Sequence, residues 1–142
     1  MENKKILIVE DDPDIRKSMN VRLKASGYDV FVASDVITAV IMARKHEPDL
    51  IILDLGLPGG DGFDVMNRLK IVPTLALIPI IIVSGRTGLP NQERAHEAGV
   101  QAFLQKPVEN AELLAVIRKT LGGPVELQKP AYLSKPARKF LL

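Results

Sequence analysis

Short apolar runs alternate along this chain with longer segments in which apolar residues recur at three- and four-residue spacing. The short runs are rich in β-branched residues and predict buried strands, and the longer segments predict amphipathic helices. The predicted strands cover residues 5–9, 28–33, 50–53, 80–83 and 102–104. Strands that alternate with helices in this way predict an α/β fold, a parallel sheet with helices on both faces and right-handed crossovers.

Residues that favour helix ends flank the predicted helices. Asp12 and Pro13 are a preferred cap and first residue for the first helix, and Gly27 is a preferred end. The other helices are predicted to begin at Ser34 or Asp35, at Asp61-Gly62, at Pro90 and with Asn110 as the last cap, and to end near His46, Pro73, Gly99 and Gly122. Each helix therefore fits between two strands.

A polar residue follows four of the five predicted strands. Glu10 and Asp11 follow the first, Asp54 the third, Ser84 the fourth, and Lys106 lies just beyond the fifth. Singly, these are ordinary turn acids, a turn or capping carboxylate, a strand-end serine and a solvated lysine. The carboxyl ends of parallel strands meet at one edge, where open α/β sheets bind their ligands. The sequence therefore predicts that these side chains converge.

Such a cluster predicts phosphoryl chemistry that uses a divalent cation. Three nearby carboxylates repel one another, and a site of hard oxygen ligands suits Mg²⁺. A metal ion beside a carboxylate lets an anionic phosphoryl group approach. Asp54 would be the nucleophile that forms an aspartyl phosphate, while Ser84 and Lys106 would bind phosphoryl oxygens and Gly85 would leave room for the group.

Composition limits the other classes of function. The 142 residues are 46% apolar and 25% charged, as in a soluble globular domain with a full core. The chain has no cysteine, which excludes disulfides, thiolate zinc sites and cysteine nucleophiles. No apolar run approaches the roughly 18–20 residues of a membrane span. The N-terminus lacks the features of a signal peptide, so we expect a cytoplasmic protein with no membrane partner.

The C-terminal residues differ from the rest of the chain. Residues 125–142 contain four basic residues and one acid, Glu126, a net charge of +3, which leaves −1 for residues 1–124. We predict a domain at 1–123 and a basic, proline-containing tail at 124–142. Its prolines exclude one continuous helix. Either a mobile extension or an extended docking segment fits the pattern, and a nucleic-acid role has little support.

Four stretches of the chain resemble the receiver domain of two-component response regulators. The matching stretches are Ile8-Val9-Glu10-Asp11-Asp12, Leu53-Asp54 with Leu57-Pro58 and Asp61-Gly62, Ile82-Val83-Ser84-Gly85, and Phe103-Leu104-Gln105-Lys106-Pro107. Each is weak alone, but their order and spacing over residues 4 to about 121 are specific. The resemblance implies a flavodoxin-like (βα)5 doubly wound parallel sheet with strand order 2-1-3-4-5.

The resemblance also implies roles for the acids. Glu10 and Asp11 would be the acid pair that binds Mg²⁺, and Asp54 would be both metal ligand and phosphoacceptor. The backbone carbonyl of Gly56 would complete the metal site. Asp12 would be an extra acid that caps a helix.

Further roles follow by the same resemblance. Ser84 would move toward the phosphoryl group and Phe103 would rotate into the vacated space, although Phe103 also fits an ordinary core aromatic. Gly56 and Arg86 occupy positions that tune access of the hydrolytic water. The bond between Lys106 and Pro107 would be cis, which X-Pro chemistry permits at modest cost.

The leading hypothesis is a single-domain response regulator in a two-component phosphorelay. It would take a phosphoryl group from a sensor histidine kinase or a histidine phosphotransfer protein, and catalyse only its own phosphorylation and slow dephosphorylation. The face built by the fourth helix, fifth strand and fifth helix would contact a downstream protein, and phosphorylation-dependent dimerisation stays open. About 20 residues follow the last helix, too few for a helix-turn-helix domain. The chain could also be a receiver cut from a hybrid kinase or larger regulator, although Met1 argues mildly against that.

Two alternatives compete. A pseudo-receiver would act as an interaction module without phosphorylation, but it has no physical need for a clustered acid triad. A magnesium-dependent phosphatase would need a second acid two positions after the nucleophile, and Gly56 occupies that position.

Overall fold

A computed structural model describes residues 3–122 and 139–140. The strands are β1 (Lys5–Val9), β2 (Asp29–Ala33), β3 (Leu50–Leu53), β4 (Ile80–Ser84), β5 (Ala102–Gln105) and β6 (Lys139–Phe140). The helices are α1 (Pro13–Ala25), α2 (Val36–His46), α3 (Gly62–Lys70), α4 (Leu89–Ala98) and α5 (Asn110–Leu121). None of the helices within the described ranges is long and apolar enough to cross a lipid bilayer.

The strands form one sheet in the order β2-β1-β3-β4-β5-β6. The first five are parallel, so the predicted fold class and the order 2-1-3-4-5 are confirmed. A sixth strand, β6, pairs antiparallel with the outer edge of β5. The sequence pattern did not predict β6, because two residues are too few to show a strand periodicity.

Helices cover both faces of the parallel sheet. Successive strand residues point to opposite faces, so each strand contributes to two cores. Leu7 and Ile51 pack in the core under α2, α3 and α4, whereas Ile6 and Ile52 pack in the core under α1 and α5. Burial on both sides explains why these strands read as unbroken apolar runs.

Most of the predicted helix starts are confirmed. The side chain of Asp12 caps α1 by accepting two backbone hydrogen bonds, and that of Asp35 caps α2 by accepting the Thr38 N–H at 2.7 Å. Helix α4 begins at Leu89, one residue before the predicted Pro90, because proline is tolerated throughout the first turn of a helix.

The predicted cap of α5 is wrong. Asn110 is the first helical residue, and Glu109 is the cap, in extended conformation but without a side-chain cap hydrogen bond. Asparagine is a preferred cap residue by propensity, but here the chain turns one residue earlier. Strand β2 likewise begins at Asp29 rather than at residue 28.

The predicted tail lies mostly outside the described residues. The structure describes only 139–140 of residues 124–142, as β6. The choice between a mobile extension and a docking segment therefore stays a prediction for the other residues. The assigned domain boundary at 123 also stays a prediction.

Candidate functional site

The acids predicted to converge lie at the carboxyl ends of two neighbouring strands. Val9 of β1 is paired with Leu53 of β3, so Glu10 and Asp54 are adjacent one residue further on. The Asp54 N–H donates to the Val9 carbonyl at 3.0 Å, which fixes this register. Glu10 is 2% exposed and Asp54 8%. Two carboxylates this buried require compensating partners.

Lys106 supplies the main compensation. Its Nζ lies 2.5 Å from Glu10 Oε1 and 2.7 Å from Asp54 Oδ2, although Lys106 follows β5, two strands away from β3. One ammonium group therefore bridges two buried carboxylates. The peptide bond between Lys106 and Pro107 is cis, as the resemblance implied.

The three ionisable groups shift one another's pKa. Burial raises the pKa of Glu10, and the bond from Lys106 only partly offsets this. Burial also acts to raise the pKa of Asp54, but hydrogen bonds from Lys106, Ser84 and Gly56 outweigh it, so this pKa lies below its usual value. Burial acts to lower the pKa of Lys106, yet its bonds to both acids raise it overall. At neutral pH Asp54 is therefore an anion and Lys106 a cation.

The acid cluster fits a hard divalent cation. Glu10, Asp11 and Asp54 each offer a carboxylate oxygen, and these oxygens all lie within 4.8 Å of one another. Asp11 is exposed while the other two are buried, so an ion here would contact solvent on one side. Mg²⁺ takes one or two carboxylates and keeps several waters. The donor set therefore fits Mg²⁺.

Ser84 and Gly85 lie at the end of β4 on the same edge of the sheet. Ser84 is fully buried, and its Oγ accepts the Arg86 N–H at 3.1 Å. A side chain added at Gly85 would meet nothing within 4 Å, so open space adjoins the strand end.

Gly56 and Arg86 are close to each other. The Gly56 N–H donates to Asp54 Oδ1 at 3.2 Å. A Cβ built at Gly56 would lie 3.2 Å from Nε of Arg86 and 3.4 Å from its Cζ. The guanidinium group of Arg86 thus lies against the position that a Cβ at residue 56 would take.

Phe103 lies in the core on one face of the sheet. It is 2% exposed and packs in the core under α2, α3 and α4. Its strand partner is Ile82, and Ser84 lies two residues beyond Ile82 on the same face. Phe103 and Ser84 therefore share one face of neighbouring strands.

Sequence reasoning missed the supporting role of Arg16. Its Nη1 donates to the backbone carbonyls of Glu10 at 2.9 Å and of Asp11 at 3.3 Å. The contact holds the loop that carries both acids. A basic residue one helical turn after Asp12 was visible in the sequence, but nothing in the pattern indicates that it folds back.

Sequence reasoning also gave no reason for glycine at position 62. A Cβ there would lie 2.7 Å from the carbonyl oxygen of Asp54 and 3.1 Å from Cα of Leu55. The Gly62 N–H donates to the Leu55 carbonyl at 2.9 Å. The start of α3 thus packs directly on the backbone that presents Asp54, and only glycine permits that approach.

Comparison with known proteins agrees with this geometry. The family model of the response regulator receiver domain matches residues 6–118. The transcriptional regulatory protein KdpE of Mycobacterium tuberculosis is 34% identical over 128 residues, which cover 88% of this chain and 55% of KdpE. The polar-differentiation response regulator DivK of Brucella anthropi is 33% identical over 119 residues, which cover 84% of this chain and 97% of DivK.

A solved receiver domain of similar fold contains a magnesium ion. The receiver domain of a sensor histidine kinase from Pseudomonas aeruginosa, determined with a magnesium ion coordinated in its active-site cleft, is 29% identical. Its TM-score is 0.78, and the match covers 86% of this chain and 100% of that one. The chain spans about half the length of KdpE and of other transcriptional regulators that it matches. With the domain match over residues 6–118, the strand order and the acid cluster, the chain belongs to the response regulator receiver domain family of two-component signalling.

Proposed function

We propose that the chain accepts a phosphoryl group on Asp54 from a phosphohistidine of a sensor histidine kinase or of a histidine phosphotransfer protein. The arrangement of Asp54 carries this proposal. Its carboxylate is buried at the carboxyl end of a central strand, 2.7 Å from Lys106 Nζ and beside two further acids. Burial and these fixed partners position the Asp54 carboxylate to react with a charged group that enters the site.

The transfer is a displacement at phosphorus. A carboxylate oxygen of Asp54 forms the new P–O bond while the P–N bond to the donor imidazole breaks, and the imidazole leaves with its electron pair. The pKa of Asp54 lies below its usual value, so this carboxylate is an anion at neutral pH. Hydrolysis of the resulting acyl phosphate returns Asp54 and inorganic phosphate.

We assign the metal site to Glu10, Asp11, Asp54 and the backbone carbonyl of Gly56. A bound Mg²⁺ would neutralise charge on the phosphoryl oxygens and orient them. Asp11, the exposed member of the cluster, would bind the ion from the solvent side. The fit of an all-oxygen donor set within 4.8 Å supports this assignment.

Lys106 and Ser84 would bind phosphoryl oxygens. Lys106 already contacts Asp54 and has its ammonium group at the site, so the incoming anion would share that charge. Ser84 lies at the end of β4 with open space beside it at Gly85. Both side chains would therefore stabilise the negative charge of the phosphoryl group that enters the site.

The same serine would connect the site to a protein-binding face. We propose that movement of Ser84 toward the phosphoryl group lets Phe103 rotate, because both lie on one face of neighbouring strands. Phe103 has no hydroxyl group, so its two positions would differ in packing alone. The face built by α4, β5 and α5 would then bind a downstream protein differently.

Gly56 and Arg86 would set the rate of hydrolysis. The glycine leaves one side of the site without a side chain, and the Arg86 guanidinium group lies over that side. Arg86 would restrict the approach of water to the phosphoryl group. We further assign the receiver to residues 1–123 and a separate tail to residues 124–142.

Peptide mapping tests the assignment of Asp54. The protein is incubated with acetyl phosphate and Mg²⁺ and digested, and the phosphorylated peptide is identified by mass. We expect the adduct on the peptide that contains Asp54, and its loss in Asp54→Asn. Asp12→Asn is the matched control, since it makes the same charge change at a residue that caps α1, and asparagine caps equally well. An adduct at another residue would refute the assignment, and no adduct at all would favour a pseudo-receiver.

A further inference from the structure

The outer edge of β5 is occupied by this chain's own C-terminal residues. Phe140 is paired with Phe103, and Lys139 with Leu104, in antiparallel orientation. β5 is the last parallel strand of the sheet, and an edge strand presents unpaired N–H and C=O groups that readily bind another strand. The pairing points to a binding site on this edge that none of the proposed phosphoryl chemistry uses.

The hydrogen-bond pattern of β5 identifies which groups face this edge. The Lys106 N–H donates to the Ser84 carbonyl at 3.0 Å, and Ser84 is paired with Gln105. Gln101, whose N–H donates to the Ile80 carbonyl at 2.8 Å, precedes β5 and lies outside the alternation of the strand. Within β5 the residues alternate between the two sides, so Leu104 directs its backbone groups to β4 and Phe103 directs its own to the outer edge. Phe103 and Phe140 are then the pair that exchanges two backbone hydrogen bonds.

The connection between α5 and β6 is long enough to reach the outer edge of β5. Helix α5 runs back from the carboxyl edge of the sheet, and β6 must start beside the carboxyl end of β5 because the two strands are antiparallel. Residues 123–138 connect them, sixteen residues that could span roughly 50 Å if extended. A four-residue strand such as β5 is only about 13 Å long.

We propose that the edge of β5 is a strand-docking site whose occupant is the C-terminal segment of the same chain. The contact is only two residues long, so it opens easily, but the tether holds the segment at an effective concentration on the order of millimolar. An extended segment of another protein must displace β6 to pair with this edge. Strand β6 therefore covers the outer edge of β5 within the α4, β5 and α5 face, and this inference does not rest on phosphorylation of Asp54.

Hydrogen exchange at single backbone amides tests the proposal in the full chain. Phe140→Pro removes the N–H that would donate to the Phe103 carbonyl, while Phe140→Leu keeps it. We expect the Phe103 amide to exchange at least about tenfold faster in Phe140→Pro, and in a chain ending at residue 138, than in the native protein. The Leu104 amide, directed at β4, is the internal control and should not change, nor should either amide in Phe140→Leu.

Two results would overturn the proposal. Equal exchange of the Phe103 amide in the native protein and in Phe140→Pro would mean that the edge is not occupied by β6. Protection that falls when the protein is diluted a hundredfold would mean that the segment pairs with a second copy rather than with its own chain. Docking within one chain predicts protection independent of concentration.

Discussion

Replacing Lys106 by methionine should destabilise the metal-free protein strongly. The substitution keeps an apolar side chain of similar length and removes the ammonium group that bridges Glu10 and Asp54. The side chains of these acids are 3% and 9% exposed. Leaving buried carboxylates without their cation costs about 3–5 kcal/mol of unfolding free energy. Because the Lys106 side chain is 21% exposed and solvent screens the pair, we expect about 2–3 kcal/mol.

Magnesium should reduce this difference. Any ligand that binds only the folded state adds stability, about 2.7 kcal/mol at a hundred times its dissociation constant. In Lys106→Met the acids have lost their competing cation, so Mg²⁺ should bind them more tightly than in the native protein. The free energy of unfolding should therefore rise more with Mg²⁺ in the variant.

Urea denaturation followed by circular dichroism, in EDTA and in excess Mg²⁺, measures both effects. Lys17→Met makes the same substitution at an exposed position on α1 and should change the free energy of unfolding by less than about 0.5 kcal/mol. If Lys106→Met is as stable as Lys17→Met in EDTA, the bridge does not compensate the buried acids. If Mg²⁺ stabilises the variant and the native protein equally, Lys106 and the metal do not share the same carboxylates.

Three further predictions concern Gly62, the Gly56–Arg86 contact and the cap of α2. Gly62→Ala should cost about 1–3 kcal/mol of unfolding free energy and slow phosphorylation, because its Cβ would lie 2.7 Å from a backbone oxygen. Gly88→Ala, whose Cβ would have its nearest contact at 3.8 Å, should have neither effect. Equal urea midpoints for the two variants would contradict this prediction. The effects of Gly56→Ala and Arg86→Ala on the hydrolysis rate of the phosphorylated protein should be non-additive by at least about 0.5 kcal/mol, because both act on one space, and additivity in the double variant would exclude that coupling. The hydrogen bond from the Thr38 N–H lowers the pKa of Asp35, so the stability that this carboxylate contributes is present above about pH 4 and is lost as the pH falls through the pKa of the folded state. The difference in urea midpoint between the native protein and Asp35→Asn should therefore shrink from pH 5 to pH 2. A difference that stays constant over this range would refute the prediction.

The parallel sheet could be predicted from the sequence because its strands are buried on both faces. Runs such as residues 50–53 and 80–83 have no polar member, and glycine or proline separates most of them from their helices. Strand β6 could not be predicted, because its two residues are too few to show a strand pattern. They form a strand only by pairing with the edge of β5. The cap of α5 was predicted one residue late, since propensity favours Asn110 but backbone geometry places Glu109 there.

The sequence could predict those site residues that directly follow the ends of the parallel strands. Glu10, Asp54 and Lys106 are brought together because three strands of one parallel sheet end at one edge. The contact of Arg16 with the acid loop depends on a long side chain folding back, and sequence spacing does not specify that. Nor does it show that Gly62 touches the backbone of Asp54.

Intact mass after incubation with acetyl phosphate tests the central claim most directly. Native protein and Asp54→Asn are each measured with Mg²⁺ and with EDTA, and the chain has no tryptophan for a fluorescence assay. We predict one phosphate adduct in the native protein with Mg²⁺ and none in the other three samples. An adduct that forms on Asp54→Asn, or in EDTA as fast as with Mg²⁺, would contradict a magnesium-dependent phosphoacceptor at Asp54.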